Sequence, residues 1–377
     1  MRAIFNIFLL ITGVTGLLNS CDKAEVLPFF ENGTAPVLSA SANAIAPLPA
    51  DSNNVALTIN WTHPKYATDS ASIKYTIEID SSGKNFSNPF TKIVTGNLSA
   101  SYIAKELNNM LLARGYAFNV PVDMDVRVTS SYANNNERLS SNILKIKMTP
   151  YKIPPKVALP AAGKLFIVGG ATPGGWTNPV PAPAQELTRL NETTWGAILN
   201  LTGGQSYLLL PVNGDWGTKF GAIGANNSNN PTGDDFKLNG GDLIAPVTTG
   251  NYKILVDFQT GKFTVTSVAN AMPSDLYITG DATAGGWVNN PPANQKFTRI
   301  SNAVYEITVP FVSGKFYKFL SSSGNWQPQF GGSSSTGGTL GANYGGGNDP
   351  ASIPTPAAAG NYKITVNFLT NTYTVSP

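Results

Sequence analysis

The sequence predicts an all-β chain of three tandem β-sandwich domains, an immunoglobulin- or fibronectin-like domain followed by two copies of one module. Three observations predict it. The segment GNYKILVDFQTGKFTV from Gly250 returns as GNYKITVNFLTNTYTV from Gly360, a shift of 110 residues. That period is far longer than a solenoid unit and about the size of one small domain. Charged residues are only 12% of the chain, against about 25% in an average soluble domain, while 37 glycines and 27 prolines supply many turns. Apolar residues alternate at period two between breaks rich in Asn, Ser and Gly, the pattern of half-buried antiparallel strands.

At the N-terminus, Met1 and Arg2 precede an apolar run from Ala3 to Leu18. This is the layout of a secretory signal over residues 1–20, too short and broken for a membrane span. Cys21 is the only cysteine, so it has no internal disulfide partner. Leu18-Asn19-Ser20-Cys21 resembles a bacterial lipobox, whose cysteine is acylated and becomes the mature N-terminus. Each buried methylene of an acyl chain contributes about 0.8 kcal/mol, so the mature chain is expected to be a soluble body on a lipidated tether, residues 21–35.

The first domain is expected over residues 36–152. In VALTINW, Val55, Leu57 and Ile59 share one face, as do Tyr75, Ile77 and Ile79, and later Val126 and Val128. Ile103 to Gly115 is the one helical candidate, ending at a glycine. Pro154, Pro155 and Pro160 read as a stiff linker.

The two copies are expected over residues 163–268 and 274–377. The 110-residue shift carries Trp216 onto Trp326, Tyr207 onto Tyr317, Trp195 onto Tyr305 and Phe220 onto Phe330, and an extra residue near Asp281 makes it 111 for Trp176 and Trp287. Each copy opens with an apolar strand and a glycine-rich loop bearing a tryptophan, GGATPGGW or TGDATAGGW. Each closes with a hairpin in which Tyr252, Ile254, Val256 and Phe258, or Tyr362, Ile364, Val366 and Phe368, face one way. Thr260-Gly261 and Thr370-Asn371 supply the residues of tight hairpin turns.

Several chemistries are unsupported. The net charge of +3 is spread thinly with no Lys/Arg run, which excludes the footprint of a nucleic-acid binder. His63 is the only histidine, so neither a Ser-His-Asp arrangement nor a histidine-rich metal site is expected. Asp234-Asp235 suggests a glycosidase carboxylate pair, but Gly345 and Gly346 are expected in roughly that place in the second copy, which favours a solvated turn or an incidental cation site. VGGATPGG lacks the Lys-Ser/Thr of a phosphate loop. No cofactor and no metal are expected.

What remains is an aromatic and amide surface. A sugar ring has apolar C–H faces and a rim of hydroxyls, so its site needs flat aromatic walls and a few polar groups. Trp287 lies in the GGW loop and Trp326 in SSSGNWQ after the strand FYKFL. Tyr317 and Phe319 share one face of that strand and leave Lys318 on the other, able to donate to ring hydroxyls between the two tryptophans. Trp176 and Trp216 are the counterparts in the first copy, where Leu208 replaces the lysine and Lys219 is the nearest substitute. Trp195 and Tyr305, in strand-like surroundings, are assigned to the core.

The order lipobox, sandwich, then VGGATPGGW…YLLLPVNGDWGTKFG and ITGDATAGGW…YKFLSSSGNWQPQFGG resembles the SusE/SusF outer-membrane lipoproteins of polysaccharide utilisation systems. The resemblance covers essentially the whole chain. It implies a non-catalytic, lipid-anchored, surface-exposed outer-membrane protein whose tandem modules hold starch or another glycan near a TonB-dependent importer. It also implies sites made of an aromatic pair with a nearby lysine or arginine, here Trp287, Trp326 and Lys318. A different class of function, an assembly protein that binds protein partners through the same aromatic loops, is separated from this one by competition with free oligosaccharide.

Overall fold

The structure is a computed structural model that describes residues 33–224 and 229–377. The signal segment and Cys21 lie outside the described residues. The chain divides into two compact units, Met1–Ile153 and Pro154–Pro377.

In the first unit, strands Leu38–Ala40, Val55–Trp61 and Ser99–Ile103 make one sheet. The other is ordered Ala44–Ile45, Leu144–Met148, Val122–Ser131, Lys74–Ser81 and Phe90–Thr95. Leu57, Ile59 and Trp61 from the first meet Tyr75, Ile77, Ile79, Val126 and Val128 from the second, all nearly inaccessible. Val55 does not share their face as expected, because the register shifts between Val55 and Leu57 and turns Val55 to solvent. Ala44–Ile45 pairs in parallel with Leu144–Met148, the exception to the antiparallel reading. The expected helix runs Ala104–Ala113 and packs Leu107 and Leu111 on the core. The Glu106 carboxylate accepts the Ile103 N–H at its start, and Gly115 with φ +78° ends it.

The second unit holds both copies. In each, a long hairpin is flanked by the strand of the core aromatic: Thr194–Leu201 pairs with Gly250–Asp257, and Val304–Phe311 with Gly360–Asn367. A shorter set of strands accompanies this sheet, Phe166–Val168, Ser206–Leu210 and Phe220–Ala222 in the first copy, where Asp234–Leu238 joins both into one nine-stranded sheet, and Tyr277–Thr279, Phe316–Leu320 and Gln329–Gly331 in the second, where they form a separate sheet. The hairpin residues expected to face one way are all buried, as are Trp195 and Tyr305. Trp195 donates its indole N–H to the Gly163 carbonyl at 3.2 Å. The closing turns are longer than the tight turns expected: residues 258–261 form a four-residue loop, with left-handed Gly261, and Asn371 takes the same conformation in the second copy.

Register changes the expected alignment in two places. Gly169 and Gly280 both donate to the glycine before the tryptophan, and Gln185 and Gln295 anchor both loops, so the one-residue difference falls between Trp287 and Gln295 rather than near Asp281. Asp234 pairs with Phe263 as Gly338 pairs with Tyr373, which puts Gly338 and Thr339, not Gly345 and Gly346, opposite the two aspartates. Asp234 and Asp235 are strand residues rather than a turn, and Asp235 is ion-paired to Lys156 at 2.9 Å and Lys262 at 3.6 Å.

The proline segment is not a free linker. Lys156 and Val157 donate to the Gln259 and Phe258 carbonyls, and Val157 is buried in the first copy's core. The two copies are also joined directly. Asn302 accepts the Ile198 N–H at 2.7 Å and donates to the Ala184 carbonyl at 2.7 Å, while the Thr188 and Ser301 hydroxyls meet at 2.6 Å. Leu190, Ile198, Leu255 and Met272 pack against the second copy's core beside these bonds.

Candidate functional site

Each tryptophan loop is built the same way twice. After the opening strand the chain turns at Gly169 or Gly280, whose φ of +147° or +145° and backbone contacts within 3 Å exclude a side chain. The buried Gln185 accepts the Gly174 N–H at 2.7 Å and donates to the Ile167 carbonyl at 2.7 Å. Gln295 does the same with Gly285 at 3.0 Å and Ile278 at 2.6 Å. These amides satisfy loop groups that would otherwise be orphaned, and they hold the GGW segment at the edge of the short strands.

The second tryptophan loop is tied to the first by an asparagine. Asn178 accepts the Gly214 N–H at 2.8 Å, and Asn289 donates from its side chain to the Gly324 carbonyl at 3.0 Å and accepts the Gly324 N–H on its own carbonyl. Each asparagine lies two residues after the first tryptophan, and each glycine two before the second. Trp176, Trp216, Trp287 and Trp326 are thereby presented between 42% and 46% exposed. The Trp176 and Trp216 rings stand 6.3 Å apart at 40°. Half-exposed indoles on stapled loops are preorganised apolar surface, which costs solvation in the free protein and is relieved when an apolar ligand face covers it.

The floors of the two sites differ. In the first copy Phe166, Val168, Val180, Leu208 and Leu210 form a separate buried apolar cluster on the outward face of the short strands. Leu208 therefore leaves no polar group at the lysine position, and Lys219, half-buried, lies just before the next strand. In the second copy Lys318 stands opposite Thr279, whose hydroxyl donates to Val288 O at 2.7 Å and braces the Trp287 loop. The Lys318 ammonium is already engaged, donating to Gln329 Oε1 at 2.8 Å and lying 3.8 Å from Asp349 Oδ2.

Asp349 Oδ1 in turn accepts from Gln329 at 2.6 Å, Asn343 at 2.8 Å and Gln327 at 3.3 Å. The Asn343 hydrogen bond foremost, then those of Gln327 and Gln329 and the Lys318 charge, hold the Asp349 carboxyl below the usual carboxylate range against an opposing desolvation. The four tryptophans and Lys318 stand out in the sequence, whereas Gln185, Gln295, Asn178, Asn289 and this amide cluster do not. The repeated W-x-N and G-x-W spacings were signals for the asparagines and the glycines they bind. Among the described residues no cluster of His, Cys, Asp and Glu could hold a metal ion, and no helix is long and apolar enough to cross a membrane.

Fold and site together define a β-sandwich protein with two tandem modules, each presenting stapled tryptophans beside a floor of its own. Residues 23–129 match the family described as SusE outer membrane protein. Among solved structures the chain is similar to SusF from Bacteroides thetaiotaomicron, at 17% identity over 91% of this chain and 76% of that one, with a TM-score of 0.34. A likeness of that degree carries no argument about site or ligand. No curated protein matches the chain.

Proposed function

We propose that this chain is a non-catalytic outer-membrane lipoprotein that binds polysaccharide at the cell surface through its two tryptophan-bearing modules and supports uptake by a TonB-dependent importer. The observation that carries the reading is the presentation, in each copy, of two half-exposed tryptophans on loops held by a buried glutamine and an asparagine. Stacking on such rings needs no ionisable group, and the one carboxylate pair weighed for hydrolysis has no counterpart in the second copy. The SusE family match of residues 23–129 supports the outer-membrane location, and acylation of Cys21 supplies the anchor. Two weak sites on one chain gain from sharing a polymer, by up to about 10² where both engage it.

The test is affinity electrophoresis of residues 22–377 through gels containing single soluble polysaccharides: α-glucan, β-glucan, mannan, xylan or fructan. Retardation by at least one, lost in the Trp287→Ala, Trp326→Ala variant or reduced to the first module's share, is the expected result. Free migration in every gel would refute the reading.

A further inference from the structure

The second copy carries a pocket beside its second tryptophan loop, and the loop that forms it is longer than its counterpart in the first copy. Four positions separate Asn239 from Leu243 in the first copy, but ten separate the equivalent Asn343 from Ile353. The added residues are shaped rather than slack. Asn343 Oδ1 accepts the Gly345 N–H at 2.8 Å and its amide donates to the Gly347 carbonyl at 2.9 Å, while Tyr344 sits edge-on to the core ring of Phe330 at 5.8 Å. The pocket is lined by Gln327, Asn343, Gly345 to Gly347, Asn348 and Asp349, and Gln327 is the residue after Trp326.

Its polar groups are arranged for a ligand that both donates and accepts. Three amide donors converge on Asp349 Oδ1 and lock the carboxylate, whose side chain stays 57% exposed and whose Oδ2 lies 3.8 Å from the Lys318 ammonium. Gln327 Oε1 is buried without a donor among the described residues, so it is not an acceptor that the ligand reaches. Its amide cannot simply be flipped, because that would set its oxygen against the carboxylate. Lys318 keeps protons beyond the one given to Gln329. A divalent cation would need several free oxygens and no neighbouring ammonium, so it fits poorly. Sugar hydroxyls, each a donor and an acceptor, fit well.

We propose that this pocket is a hydroxyl-reading subsite, with Asp349 as its acceptor, that gives the second module the chain's selectivity among glycans, while the first module, with Leu208 and Gly217 in place of Lys318 and Gln327, binds by stacking alone. It rests on the glycan-binding reading above. A locked acceptor rejects an analogue whose hydroxyl points elsewhere, whereas a stacked ring face does not discriminate strongly.

The experiment uses residues 22–377 with Trp176→Ala and Trp216→Ala, so that only the second site is read. Calorimetric titration with malto-, cello-, xylo- and manno-hexaose gives its order of preference. Asp349→Asn, which keeps the shape, and replacement of residues 344–352 by the Gly-Gly-Asp of the shorter turn are expected to weaken the preferred sugar about tenfold, the loss of one charge-assisted hydrogen bond. The spread among the four sugars should shrink with it. An unchanged preference in both variants, with binding still abolished by Trp326→Ala, overturns the subsite and leaves glycan binding standing. No binding of any hexaose or polysaccharide by the chain with all tryptophans intact refutes both. Calcium binding lost in Asp349→Asn with sugar preference unaltered would make the pocket a cation site instead.

Discussion

Leu208 and Lys318 hold the same register in the two copies, opposite Val168 and Thr279 respectively, and their surroundings are opposite in character. Leu208 is 3% exposed in a patch with Phe166, Val180 and Leu210. Lys318 reaches Gln329 and Asp349. A duplication has kept the aromatic presentation and changed the floor beneath it.

Leu208→Lys is therefore expected not to restore a lysine-assisted site. The ammonium would enter an apolar patch with no acceptor corresponding to Gln329, since Lys219 holds that position. Stability should fall by about 2–4 kcal/mol, from the lost burial and the desolvated charge. Urea unfolding would show the midpoint shift, and glycan affinity of the first module should not rise.

Gln295→Ala removes two hydrogen bonds from a buried amide and orphans Gly285 N–H and Ile278 C=O. Each orphaned group costs about 1–3 kcal/mol. The expected loss is about 2–4 kcal/mol, with weaker glycan retention by the second module although no ring is touched. Gln185→Ala should do the same for the first. Retention unchanged in a folded variant would show that the staple does not position Trp287.

Much of this architecture is legible in the sequence because it is periodic. Alternating residues such as Tyr252, Ile254 and Val256 declare a buried strand face, and repeated aromatics mark equivalent positions. What is not periodic is not legible. Val55 fits the alternation but faces solvent, because a register shift leaves no trace in the pattern. A longer loop before the strand Asp234–Leu238 in one copy offsets a longer loop after Asn343 in the other, so counting residues aligned Asp234 with the wrong glycine. The glutamine staples bridge residues ten or more apart by hydrogen bonds, which side-chain identity alone does not announce.

Tyr207 and Tyr317 show the same fault in both copies: each ring is fully buried and each hydroxyl lacks a partner among the described residues. Burial pushes both phenols well above their ordinary pKa. An unpaired buried hydroxyl costs about 1–3 kcal/mol, so Tyr317→Phe and Tyr207→Phe should each stabilise the chain by about 1 kcal/mol. Thermal unfolding of the single and double variants measures this. Additive gains are expected, since the two residues lie in different cores.

The first unit carries an acid-sensitive contact of its own. Asp80, 1% exposed, pairs with Arg114 at 2.6 Å and accepts the N–H groups of Ser81 at 2.7 Å and Asn88 at 3.2 Å. Burial alone would raise its pKa, but the two backbone bonds and the guanidinium together outweigh it, so the folded value lies below the usual one near about 3.9. The unfolded chain therefore takes up this proton at a higher pH than the folded one. The stabilisation is fully present above the ordinary carboxylate range and is lost as pH falls through the depressed value. Asp80→Ala should cost about 1–3 kcal/mol at neutral pH, the loss of a charge-assisted hydrogen bond, because the half-buried Arg114 keeps only the Asn88 carbonyl, the Ser81 hydroxyl and the Phe90 ring. Denaturant midpoints at pH 7, 4 and 3 should then fall less steeply for the variant than for the parent. Equal slopes would assign the acid sensitivity to other carboxylates.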